Sequence, residues 1–154
     1  MKRTWALGLA LVLLLTLTAC GTGAGQKLSD KSPLPGEGYQ VYAVLDTEGE
    51  EGPLGSAVLA ELNGAVETLG IVYYVCPSQS KDSYGPKVAE VAGGSTQLVV
   101  TMGSEMLQAL YEGAAQYPNV VFLHVGEPGT PMDNIVYAGT DDLLTVLGQL
   151  VQKQ

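Results

Sequence analysis

A carboxylate, a glycine-serine turn, an acidic loop and a lone histidine are the groups in this sequence that could recognise a small molecule. Asp46 closes the β-branched and aromatic run Gln40-Val41-Tyr42-Ala43-Val44-Leu45 and is followed by Thr47. A carboxylate at a strand end can accept hydrogen bonds from a ligand's hydroxyl or amine groups, and it can equally organise its own loop as an Asx turn. Gly103-Ser104 follows Leu98-Val99-Val100-Thr101-Met102 and opens a helical stretch. The first amides of such a stretch have no intrahelical acceptor and can hold an acceptor atom or an anion, although Ser104 is also a favoured N-cap residue.

Other groups point away from chemistry. Glu48, Glu50 and Glu51 lack the alternating Asp/Asn positions and terminal bidentate Glu of a calcium loop, so they read as a solvated acidic loop. His124, the only histidine, stands near the end of an apolar strand with no carboxylate close to it in sequence. It reads as a satisfied core or rim residue rather than a general base. There is no GxSxG, no P-loop and no His/Cys metal pattern, so nothing in the sequence argues for catalysis, a cofactor or a metal.

One further group carries chemistry of a different kind. Lys2 and Arg3 precede an apolar run from Trp5 to Leu15, too short to persist as a transmembrane helix, and Leu17-Thr18-Ala19-Cys20 closes it. Small residues leading into a cysteine resemble a lipobox, in which the thiol is alkylated by a diacylglyceryl group before cleavage leaves it as the first mature residue. Residues 1–19 are therefore expected to be a lipoprotein signal peptide and Cys20 the lipidation site. Two or three acyl chains anchor stably where one would be marginal. The expected location is the cell membrane or envelope, on its extracytoplasmic side.

The chain's net charge of −9 falls to about −11 once Lys2 and Arg3 leave with the signal. A body this acidic does not seek nucleic acid or anionic head groups. Residues 20–38 are rich in Gly, Ser, Thr, Lys and Pro and read as a tether. Residues 39–154 have the length and apolar content of a single domain. With Cys20 lipidated, Cys76 is the remaining cysteine and is expected to be a buried small hydrophobe, with no intramolecular disulfide.

Within 39–154, short β-branched runs alternate with segments of helical period. Leu54, Val58, Leu62, Val66 and Leu69 share one helix face stopped by Gly70; Tyr84, Val88, Val91 and Ala92 share a second; Met106, Leu107, Leu110, Tyr111 and Ala114 a third. Strands are expected at Gln40 to Leu45, Ile71 to Val75, Leu98 to Thr101, Val120 to Val125 and Ile135 to Ala138. Thr140-Asp141-Asp142 is expected to cap a last helix carrying Leu143, Leu147, Leu150 and Val151. Nearly continuous apolar strands mean a parallel sheet covered on both faces, hence a three-layer α/β/α sandwich. Ligands meet such sheets at the carboxyl ends of the strands.

These pieces resemble a known family. The lipobox, polar tether and first strand ending in Asp46, then Leu69-Gly70-Ile71-Val72-Tyr73-Tyr74-Val75, look like the N-terminal lobe of the basic membrane protein family. Asp82-Ser83-Tyr84, Leu98-Val99-Val100-Thr101-Met102-Gly103, Ala115-Gln116-Tyr117-Pro118-Asn119-Val120-Val121-Phe122, Asp133-Asn134-Ile135-Val136 and Leu144-Thr145-Val146-Leu147-Gly148 extend the likeness over the whole mature domain. Members are substrate-binding lipoproteins of ABC transporters, and several bind purine nucleosides. The resemblance implies one lobe of a type I periplasmic-binding-protein fold with strand order 2-1-3-4-5, and of the family's ligand positions Asp46 and Gly103 match; with Thr47, Ser104 and Glu127 on the same strand-end loops they make up the expected ligand set. It also implies an ABC permease as partner and a second lobe, which is either lost or made by another chain.

The departures weaken the ligand expectation. Where the family has an aromatic that stacks on the base and an Asn that bonds it, this chain has Leu54 and Gly55; where the family ends its fourth strand with Asp, it has Gly126 followed by Glu127. The chain ends where a family member enters a hinge to its second lobe. The expected function is a membrane-anchored solute-binding lipoprotein reduced to one lobe, with weak nucleoside binding or none. The alternative is a degenerate envelope lipoprotein acting as a protein-interaction module.

Overall fold

Seven residues, Tyr39–Leu45, form β1, which has parallel partners on both sides. The computed structural model describes residues 38–94 and 96–153. The signal segment, Cys20 and all of the tether but Gly38 lie outside the described residues. After β1 come α1 (Pro53–Leu69), β2 (Ile71–Pro77), α2 (Tyr84–Ala92), β3 (Leu98–Met102), α3 (Leu107–Gln116), β4 (Val121–Val125), β5 (Ile135–Ala138) and α4 (Leu143–Gln152). The sheet is all-parallel in the order β2-β1-β3-β4-β5, as expected.

Period-2 burial and strand register decide which helix covers which face. Tyr73, Val41, Leu98 and Val121 are in register, and the Tyr73 hydroxyl donates to Asn63 Oδ1 of α1 at 2.8 Å, so this face lies under α1, which packs with α4. The neighbouring row, Tyr42, Val99 and Phe122, points the other way. Phe122 packs on Gly113 of α3, which is paired with α2. The result is the expected three-layer sandwich.

The helices follow their apolar stripes. Val58, Leu62 and Ala65 of α1, Tyr84, Val88, Val91 and Ala92 of α2, and Leu143 and Leu147 of α4 are buried. Gly70 stops α1 in a left-handed conformation at φ 68°. One expectation is corrected. Asp142 occupies the N-cap position of α4 but makes no side-chain cap bond. Cys76 is fully buried on β2, as expected.

Candidate functional site

The strand order reverses between β1 and β3, since the chain leaves β1 for β2 on one side and reaches β3 on the other. That crevice, at the carboxyl ends of β1, β3 and β4, is where a doubly wound sheet binds ligands. Asp46 stands at its edge, half-buried. Its Oδ1 accepts from the amides of Glu48 at 3.0 Å and Gly49 at 3.2 Å, so the loop-organising Asx turn is real. Its Oδ2 faces the crevice, lying 4.0 Å from where a Cβ on Gly103 would stand. One carboxylate therefore holds its loop with one oxygen and presents the other.

Thr47 is exposed, and its polar groups serve the scaffold. Its amide donates to the Tyr84 hydroxyl at 3.1 Å, and that hydroxyl donates to Thr47 Oγ1 at 3.4 Å, tying the loop to α2. The loop is also pressed onto α1. A Cβ on Gly55 would lie 2.0 Å from the carbonyl oxygen of Gly49, so no side chain can project from position 55 into the crevice. Leu54 is half-buried, with Cδ2 3.6 Å from the Cβ position of Gly103. It lines the crevice with an aliphatic surface where the resemblance would have an aromatic.

Gly103 and Gly126 end β3 and β4 in parallel fashion. Gly103, at φ 75°, donates its amide to the Val125 carbonyl at 3.0 Å, and Gly126, at φ 141°, donates to the Ala138 carbonyl at 3.0 Å. A side chain would be strained at either position. Gly103 rather than Ser104 takes the N-cap position of the helical turn Ser104–Met106 that leads into α3. The expectation of Ser104 as a plain N-cap is thus corrected: it is the first residue inside the turn, exposed, with no cap bond. Glu127 is exposed on the following loop, and Gly126 is the residue that meets Gly103.

His124 and Thr101 complete the site, and sequence reasoning missed their pairing. Both are fully buried, and they are register partners on β3 and β4, with Thr101 Oγ1 2.9 Å from His124 Nδ1. The edge of one ring meets the face of the other between His124 and Tyr137, centroids 5.9 Å apart. Burial lowers the His124 pKa to about 4, so the ring is neutral at physiological pH. Its Nε2 has no hydrogen-bond partner among the described residues. A shared spacing was the available signal: Thr101-Met102-Gly103 and His124-Val125-Gly126 place both polar residues two positions before a strand-ending glycine.

The loop beyond Gly126 is held by two tyrosines. Thr130 donates its amide to the Tyr111 hydroxyl at 2.8 Å, and the Tyr137 hydroxyl donates to the Thr130 carbonyl at 2.7 Å. Below it, Asn134 Nδ2 reaches the carbonyls of Ala114, Tyr117 and Val120 at 3.0 to 3.3 Å, capping the end of α3. Lys81 and Glu105 form an exposed ion pair across the loops after β2 and β3.

No protein-family model matches the chain, and no curated protein matches its sequence. Solved structures do share its fold. A fragment of a protein assigned as a lipoprotein, from Peptoclostridium difficile 630, superposes with a TM-score of 0.64 at 22% identity, covering 75% of this chain and 97% of that one. An ABC transporter solute-binding protein from Aeropyrum pernix K1 superposes with a TM-score of 0.59 at 19% identity over 64% of this chain. The fold is that of a periplasmic-binding-like lobe. This lobe spans 28% of the Aeropyrum protein. A type II dehydroquinase from Butyrivibrio crossotus DSM 2876 shares the architecture more distantly, with a TM-score of 0.53 at 8% identity. At such identities the likeness speaks for the fold alone, and function must be argued from the site.

Proposed function

We propose that this protein is a lipid-anchored solute-binding lipoprotein of an ABC transporter, built on one lobe of the periplasmic-binding fold, with a nucleoside-type solute as its ligand class. The observation that carries the reading is Asp46 Oδ2, turned toward Gly103 at the switch point of a 2-1-3-4-5 sheet. The resemblance to the basic membrane protein family supplies the ligand class. No catalytic role is assigned to the site. An ABC permease is the partner this reading asks for.

This lobe forms one wall of a crevice, a clamped ligand is buried by two, and Leu54 cannot stack as an aromatic does. Stacking is worth roughly 1–3 kcal/mol per base, and a lost polar contact about 1 kcal/mol. Calorimetry of the mature chain, made without its lipid, against adenosine, guanosine and inosine is expected to show dissociation constants in the millimolar range or weaker, weakened further by Asp46→Ala. Micromolar binding by the lone lobe would mean that the half-crevice suffices.

A second reading, an envelope protein-interaction module without a solute, is favoured by one observation. The contact between Gly55 and the Gly49 carbonyl bars a side chain from the place where the resemblance would put a ligand-bonding Asn. Titration with nucleosides and no heat at any concentration would favour it.

Both readings share the anchor at Cys20. Among the described residues no helix is long and apolar enough to cross a membrane. Cys20→Ser is expected to abolish acylation and processing, whereas the wild-type protein partitions into detergent. Processing of the Ser variant at the same site, together with a freely soluble wild type, would defeat the assignment.

A further inference from the structure

We propose that His124 Nε2–H is a ligand-contacting donor at this crevice, taking an uncharged carbonyl or hydroxyl oxygen of the solute while Asp46 Oδ2 accepts from a neighbouring donor on the same molecule. The inference rests on the solute-binding reading above and adds to it a residue that the family resemblance does not supply.

The tautomer follows from Thr101. Its buried hydroxyl has the His124 ring as its hydrogen-bond partner. If Thr101 donates to Nδ1, both of those atoms are satisfied and only an Nε2–H is left over. The opposite arrangement would strand the threonine proton and the Nε2 lone pair together, which costs more in a buried setting. Nε2 is therefore the protonated nitrogen, a donor awaiting an acceptor.

Its surroundings say where that acceptor comes from. A Cβ on Gly126 would lie 3.7 Å from Nε2, 3.6 Å from the Gly103 nitrogen and 3.8 Å from the Gly103 Cα. The absent side chain at 126 thus leaves room for one heavy atom in van der Waals contact with the histidine donor and the Gly103 backbone. Ser78 Oγ, just past the end of β2, is a second buried polar atom at this end of the sheet without a partner among the described residues. The charges exclude an anion. Asp46, Glu48 and Glu127 belong to the loops at this end, and Lys81 and Lys87 are paired with Glu105 and Glu90.

The test is nuclear magnetic resonance of the mature chain without its lipid, reading the His124 ring nitrogens and the backbone amides of Asp46 and Gly103 during titration with millimolar adenosine and inosine. The expected result is a protonated Nε2 in the free protein whose resonances move together with those two amides. His124→Gln, which keeps an N–H near that position, should bind within about threefold of wild type, and His124→Phe about tenfold more weakly, one hydrogen bond's worth. Movement of the Asp46 and Gly103 amides with an unmoved Nε2, or an unprotonated Nε2 in the free protein, would overturn the inference and leave the solute-binding reading standing. No movement at any of these groups would overturn both. The wild-type spectra decide even if a variant fails to fold.

Discussion

Lowering the pH from 6.5 to 4 is expected to remove about 3 kcal/mol of folding stability through His124 alone. In the unfolded chain the imidazole titrates near its model value of 6.5, whereas burial lowers the folded-state value to about 4. Above pH 6.5 both states are neutral at this residue and its contribution is flat. Below that, the unfolded chain binds a proton that the folded chain refuses, so stability falls with decreasing pH until the folded ring also protonates. Urea unfolding at several pH values should show a steeper loss over this window in wild type than in His124→Gln, which keeps a polar partner for Thr101 and does not titrate. Parallel pH profiles for the two proteins would show that the ring is not buried as a neutral group.

Gly55→Ala should be the most disruptive single methyl addition at the site, costing about 3 kcal/mol, the upper range for overpacking. Its Cβ would sit 2.0 Å from a backbone oxygen, Gly49 O, and no rotamer change can relieve a clash with main chain. The loop that Asp46 organises must move instead, so the same substitution should disturb the Asp46 and Gly49 amide resonances. Gly64→Ala in the same helix is the control. Nothing lies within 4 Å of its Cβ position, and the alanine should stabilise by about 0.5–1 kcal/mol through helix propensity and a less flexible unfolded chain. Equal effects from the two substitutions would mean that the Gly49–Gly55 approach is not part of the solution structure.

The two predictions bear on function through the same crevice. Gly55 sets how closely the Asp46 loop packs on α1, and so where Asp46 Oδ2 points. His124 lies under Gly126 on the other side. A neutral, rigidly held imidazole and a carboxylate with one uncommitted oxygen are complementary groups, donor and acceptor, on two sides of a space kept open by glycines. The acidic chain, with its net charge of −9, gives that space no preference for anions.

By itself the sequence determined the layers, because they follow from local periodicity. A period of 3.6 in Val58, Leu62 and Ala65 and continuous apolar runs such as Leu98–Met102 bury the same faces whatever their neighbours. Asp46 and Gly103 could be placed at the crevice because strand ends are readable from the same runs. The detailed site was decided only by the tertiary structure. Which oxygen of Asp46 is spent on the Asx turn, why position 55 must be glycine and why Gly103 displaces Ser104 as the cap all depend on how loops and distant segments meet. The pairing of Thr101 with His124 depends on the register of β3 against β4, and a shift of one residue would turn either side chain to the opposite face. Periodicity is written along the chain, whereas register and backbone approach arise between segments, and it is there that this crevice acquires its donor, its acceptor and its shape.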